Sequence, residues 1–121
     1  MAVSAAPQTD RAAIVATVLD YFEGWFDGDA ERMERALHPE LAKRSSEVRR
    51  TTTKERMVEL TRSGEGRKED PGGDRGIEVD VVDVYGSIAT AVVRSPVYRE
   101  YLHLVKTEDG WKIVNALWHL T

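Results

Sequence analysis

The stretch Tyr101-Leu-His-Leu-Val-Lys-Thr-Glu-Asp-Gly-Trp-Lys-Ile-Val-Asn-Ala-Leu-Trp118 decides the architecture. Its two β-rich runs flank Asp109-Gly110, a dipeptide that takes up the positive dihedrals of a tight hairpin at little steric cost. The second run stops close to Thr121, so the final strand is expected to lie in the main sheet and to tie the terminus down. Upstream, Ile77 to Tyr85 and Ile88 to Ser95 are valine-rich, are separated by a Gly86-Ser87 turn, and are set off from the hairpin by Pro96. Valine suits a pleated, partly buried surface, so these runs predict consecutive antiparallel strands.

Further towards the N-terminus the period changes from two to about four. Ile14, Val18, Tyr21, Phe22 and Trp25 recur at three-or-four spacing and stack on one face of an amphipathic helix with an aromatic end. Gly28 can close that helix in the left-handed conformation, and Asp29 can cap a shorter one that buries Met33, Ala36 and Leu37 and ends at His38-Pro39. Leu41 to Arg50 lacks apolar periodicity and reads as loop with a brief edge strand. Thr52-Thr-Lys-Glu55 has capping-box spacing ahead of a third helix carrying Met57, Leu60 and Thr61 on one face. The glycine- and charge-rich segment from Ser63 to Gly76 reads as a mobile loop with the placing of a lid. Three helices followed by a run of strands predict an α+β fold, with the helices packed on one face of a curved, mainly antiparallel sheet.

Composition narrows the function classes. The chain has 121 residues, enough for one core, so residues 9–121 are expected to form a single domain preceded by a flexible arm over residues 1–8. No cysteine is present, which removes thiol nucleophiles, disulfides and thiolate metal sites. The three histidines are dispersed and match no metal-binding spacing, so neither a metal nor a cofactor is expected. A net charge of −4 with scattered basic residues argues against a nucleic-acid partner. The absence of a long apolar run argues against a membrane, and the start lacks the features of a secretory signal, which points to the cytoplasm.

The segments Tyr21-Phe-Glu-Gly-Trp-Phe-Asp-Gly-Asp-Ala30, Leu37-His-Pro-Glu40, Thr53-Lys-Glu-Arg-Met57 and Gly110-Trp-Lys-Ile-Val-Asn-Ala-Leu-Trp118, in this order and spacing, resemble the nuclear transport factor 2-like superfamily. Within it the chain looks most like the SnoaL-like and putative lumazine-binding branch. The resemblance implies a cone-shaped fold whose sheet wraps the first helix, a pocket at the open end, and commonly a homodimer through the outer sheet face. It implies no single reaction, because the fold carries isomerases, cyclases, dehydratases, epoxide hydrolases and transport factors.

If the final hairpin closes through an even-numbered loop, the two-residue period places Glu100, Leu102, Leu104, Trp111, Ile113, Asn115 and Leu117 on one face. Tyr101, His103, Val105, Lys112, Val114, Ala116 and Trp118 then fall on the other. The first set is apolar apart from Glu100 and Asn115 and is assigned to the interior. A bulged, odd-numbered turn would bring His103 inside in place of Glu100. A carboxylate in an apolar cavity has its charged form disfavoured and becomes a usable general acid or base near neutral pH, which makes Glu100 the first catalytic candidate. The alternative is a rim glutamate paired with Arg94 or Arg99. His38 is the second candidate, set against a plain capping role at a helix end.

For ligand contact, Tyr21 and Trp25 offer a flat wall with a polar handle, Asn115 can orient a carbonyl or a water, and Trp111 and His103 complete the set. Each aromatic also has an ordinary reading as core, and His103 with Tyr101 and Trp118 reads equally as a dimer contact. Two functions from different classes follow. One is a pocket for a small, largely apolar organic molecule, with Glu100 moving protons in a cofactor-independent isomerisation, dehydration or cyclisation of SnoaL-like type. The other is a noncatalytic dimeric binding or assembly module.

Overall fold

The computed structural model describes residues 6–121, with side chains from Thr9 onward. Helix α1 spans Ala6–Asp27, α2 Ala30–Ala36 and α3 Lys54–Arg62; the strands are β1 Leu37–Ser45, β2 Glu78–Tyr85, β3 Ile88–Arg94, β4 Tyr98–Thr107 and β5 Gly110–Leu120. Most of the expected arm lies outside the described residues, and α1 already includes Ala6. The sheet order is β1-β5-β4-β3-β2, antiparallel throughout except that β1 runs parallel to β5. This is the expected α+β fold, with three helices against one mixed sheet.

Ile14, Val18, Tyr21, Phe22 and Phe26 bury the inner stripe of α1 against Ala91, Val93, Leu102, Leu104 and Ile113 from the sheet. At the end of α1, Gly28 takes φ +69°, and Asp29 caps α2 by accepting the amide of Arg32 at 3.2 Å. The cap of α3 is Thr53, whose hydroxyl accepts the Arg56 amide, one residue later than the capping box predicted.

Two segments expected to be mainly loop carry more structure than that. Leu37–Ser45 is a full strand, because its backbone pairs with β5 from Leu37↔Ile113 to Ser45↔Trp118. Tertiary pairing has overridden the weak local period there. The Ser63–Gly76 segment carries a 3₁₀ turn, Arg67–Glu69, seated on the end of α1. Arg67 Nε donates to the Asp27 carbonyl at 2.9 Å, and Arg75 bridges Asp27 and Asp70 at 2.7 and 2.9 Å. Gly66 lies so close to α1 that a Cβ there would sit 2.1 Å from the Trp25 carbonyl oxygen, so only glycine permits the contact.

The hairpin closes with Thr107 opposite Gly110, the even-numbered loop of the first mapping. Three pairs further on the register slips: His103 faces Asn115 while Leu104 faces Ile113, leaving Val114 as the extra residue of a bulge. One inserted residue reverses the facing of everything beyond it. Trp111 and Ile113 point inward as expected, but from there to the C-terminus Ala116 and Trp118 face the helices and Asn115 and Leu117 face out. Glu100 stays inside because the bulge is in β5 and not in the turn.

Candidate active site

Glu100 is 2% exposed, on the β4 face that buries Tyr98, Leu102 and Leu104. Trp118 lies directly across from it on β5. On the other side of β5, Lys43 of β1 pairs with Ala116, which the bulge has turned inward. Tyr21 reaches the same spot from α1. Its hydroxyl donates to Glu100 Oε2 at 2.6 Å and accepts from Lys43 Nζ at 2.5 Å, with Nζ itself 3.9 Å from Oε2. A lysine, a tyrosine and a glutamate from three distant parts of the chain thus form one buried relay.

Aromatic rings enclose it. Tyr21, Phe22, Trp25 and Tyr98 line the cavity with Lys43 and Glu100. Lys43 Nζ lies 4.9 Å from the Tyr21 ring centre, 5.9 Å from Trp25 and 5.8 Å from Trp118, within the range of cation–π attraction. Tyr98 meets Trp118 edge to face at 5.5 Å and stacks on Phe26 at 6.5 Å. The free space is about 10 Å³, room for roughly one water.

The 3₁₀ turn is tied to the cavity wall. Glu69 accepts the Trp25 indole N–H at 3.0 Å and also the Tyr98 hydroxyl, so one carboxylate ties the Ser63–Gly76 segment to two rings of the cavity wall.

Burial sets the charges. Desolvation raises the Glu100 pKa, with Lys43 and the Tyr21 hydrogen bond opposing it in part. It lowers that of Lys43, opposed by the carboxylates of Glu100 and Glu69. It pushes Tyr21 well above the usual phenol value, and the neighbouring Glu100 charge adds to the effect. Acid and amine are therefore drawn towards each other in proton affinity, as acid–base work near neutrality requires. Among the described residues, the hydrogen bond of Glu100 is the one its Oε2 accepts from Tyr21.

Of the residues singled out from sequence, Glu100, Tyr21 and Trp25 are brought together here. Neither Arg94 nor Arg99 pairs with Glu100; its partners are Tyr21 and Lys43. Trp111 is inward but elsewhere, a core ring whose N–H donates to Asp10 at 3.2 Å. Asn115 is corrected to the outer face, where its amide approaches His103 Nδ1 at 3.4 Å, and both are remote from Glu100. His38 is also away from the relay. It is the second residue of β1, not a helix cap; its Nδ1 accepts the Glu40 amide at 3.0 Å, and it borders an outer groove with Asp83, Tyr85 and His103.

Sequence reasoning missed Lys43, Tyr98 and Trp118. Tyr98 shares the parity of Glu100, so that signal was present. Lys43 shares the parity of Leu41, which is visible only once the segment is read as a strand. Trp118 was hidden by the bulge. Among the described residues, no group of three or more acidic or histidine side chains is placed to hold a metal, and no helix is long and apolar enough to cross a membrane.

The sequence matches, over residues 9–119, the family described as putative lumazine-binding. No curated protein matches it. Solved structures share its fold at low identity. An NTF2-like protein with a cystatin-like fold from Novosphingobium aromaticivorans is 20% identical, with TM-score 0.77, over 98% of this chain and 86% of the other. An NTF-2-like protein of unknown function from Silicibacter pomeroyi is 15% identical, with TM-score 0.72, over 95% and 98%. A ketosteroid isomerase-like protein from Erwinia carotovora atroseptica is 18% identical, with TM-score 0.67, over 90% and 94%.

Proposed function

The chain belongs to the putative lumazine-binding family, and we propose that it binds a small, largely apolar organic molecule in the Tyr21–Trp25–Tyr98 cavity and moves a proton on it with Glu100. The observation that carries this reading is the buried Glu100 carboxyl, held through Oε2 by Tyr21 in the lining of the aromatic cavity. Function, more than folding, accounts for an acid in this position, because burying a carboxylate costs stability. Tyr21 orients the acid, Lys43 balances its charge, and the aromatic walls suit a flat, apolar ligand. No cofactor takes part, and the reaction class is lyase or isomerase. The cavity in its present closure holds about one water, so the Ser63–Gly76 segment serves as a lid that lifts when Glu69 releases Trp25 and Tyr98.

The test is a panel of planar ketones, enones and enol analogues titrated by calorimetry against the wild-type protein and Glu100→Gln, with α-proton exchange into deuterated water as the activity readout. Binding with exchange that Glu100→Gln abolishes is expected. Exchange and affinity unchanged in that variant would end the catalytic reading.

A second reading, a noncatalytic dimer, draws on the outer face. Tyr101 and Leu117 are cross-strand partners there, 50% and 42% exposed. A patch of this kind suits self-association through the sheet and leaves both cavities separate.

A further inference from the structure

Lys43 is bonded in an unusual way for a lysine that only balances charge. An ammonium carries three donors and in proteins usually spends them on water or carboxylates. The Lys43 side chain is 13% exposed, and among the described residues its single hydrogen bond runs to the neutral Tyr21 hydroxyl. Its nearest carboxylate, Glu100, stands off at 3.9 Å, the Glu69 carboxylate acts on it as well, and the Tyr21, Trp25 and Trp118 rings lie within 6 Å. The site can hold a neutral amine as well as an ammonium: the hydrogen bond to Tyr21 remains and the ring contacts persist as apolar packing, while the cation–π attraction is given up. The relay supplies the path for the exchange: Lys43 passes a proton to the Tyr21 oxygen while Tyr21 passes its own to Glu100, leaving amine, phenol and carboxylic acid. The opposite pKa displacements of the two ends, both caused by burial, bring this neutral form within reach.

We infer that Lys43 is a nucleophilic amine that captures a small apolar aldehyde or ketone as an imine inside the aromatic cavity, with Glu100 as its acid–base partner. The inference rests on the cavity reading above and names its substrate class. The nitrogen lone pair forms the C–N bond as the carbonyl π bond breaks, and a nitrogen proton passes to the oxygen to give a carbinolamine. Glu100 then protonates the hydroxyl and water leaves. The products are an iminium on Lys43 and a Glu100 carboxylate, with charge and atoms balanced and no oxidant or reductant required. That carboxylate, 3.9 Å from the nitrogen, is placed to remove a proton from the carbon next to the iminium, giving an enamine. This is the proton movement the cavity reading calls for.

The test is competitive trapping on the intact wild-type protein. Limiting acetaldehyde with cyanoborohydride near neutral pH reduces any imine to a stable ethylamine, and peptide mapping locates it. Lys43 is expected to be ethylated on the order of tenfold faster than the surface amines of Lys68 and Lys106, because its partner acid works intramolecularly. Lys43→Arg keeps a cation beside Glu100 and is expected to lose this fast phase alone, leaving the slower surface labelling unchanged. Labelling of Lys43 no faster than of the surface lysines, or a fast phase that survives in Lys43→Arg, overturns the inference. The cavity reading has a separate readout: ligand binding and exchange that depend on Glu100 without a Lys43 adduct would refute imine formation alone.

Discussion

Removing one oxygen atom from Tyr21 tests the relay directly. In Tyr21→Phe the ring keeps its edge-to-face contact with Phe22, 5.2 Å between centres, so packing is preserved and only the hydroxyl is lost. That hydroxyl makes two hydrogen bonds, to Glu100 Oε2 at 2.6 Å and from Lys43 Nζ at 2.5 Å. Hydrogen bonds to charged groups contribute about 1.5–3 kcal/mol each, so the gross loss is about 3–6 kcal/mol. Part of it is recovered, because Lys43 and Glu100 are 3.9 Å apart and can close into a direct ion pair. If that contact returns half, the net cost is about 1.5–3 kcal/mol. Urea unfolding followed by tryptophan fluorescence reads the change. With a slope of about 2 kcal/mol/M the midpoint falls by about 0.8–1.5 M. Tyr85→Phe, at a residue 77% exposed, is the control and is expected to stay within about 0.5 kcal/mol of wild type. A Tyr21→Phe midpoint indistinguishable from that control would refute the relay as an energetically coupled unit.

Glu100→Gln is expected to gain stability relative to wild type as pH rises. The folded-state pKa of Glu100 is raised by burial, so the stability linked to its proton is complete below the unfolded value and lost as pH climbs through the folded one. The variant has no such loss. Lys43, whose lowered pKa falls further without the opposing carboxylate, contributes in the same direction, and paired thermal melts across that window check the sign. Glu69→Ala frees the Ser63–Gly76 segment from Trp25 and Tyr98, so the first tryptic cut is expected to shift to Arg67 or Lys68 and to quicken several-fold, with global stability changed by only about 1 kcal/mol. An unchanged cutting pattern would remove Glu69 as the latch. Under the reading in which two copies pair through the outer sheet face, Tyr101→Lys places a charge in that patch and is expected to yield a monomer in sedimentation where the wild type gives a dimer; a wild type that sediments as a monomer would refute that reading.

What could be read from sequence followed the strength of the local period. The α1 stripe, the Asp29 cap, the valine-rich strands and the Asp109-Gly110 turn are short-range signals, and all of them reappear in the fold. Glu100 was legible because the turn length and the two-residue period agree as far as β4. Lys43 was not, because Leu37–Ser45 becomes a strand only through its parallel partner β5, a contact between residues more than seventy positions apart in the chain. Asn115 went to the wrong face for a similar reason: the bulge at Val114 leaves no local mark in a run of valine, isoleucine and alanine. The 3₁₀ turn was hidden by composition, since the glycines that suggest mobility include Gly66, whose missing side chain is what lets the segment pack against α1.

The bulge gives this sheet an unusual form of evolvability. Two alternative linings are written into the end of β5, one of alanine and tryptophan and one of asparagine and leucine, and a single residue selects between them. Taking Val114 into the ladder, so that the bulge is straightened with every residue kept, would exchange the two sets at once, turning an aromatic cation-holding wall into an amide-bearing one and moving the tryptophan to the outside, whereas loss of the Val114 codon would preserve the present lining. A new cavity lining and a new outer face would then follow together from one slip of strand register, without any substitution in the cavity.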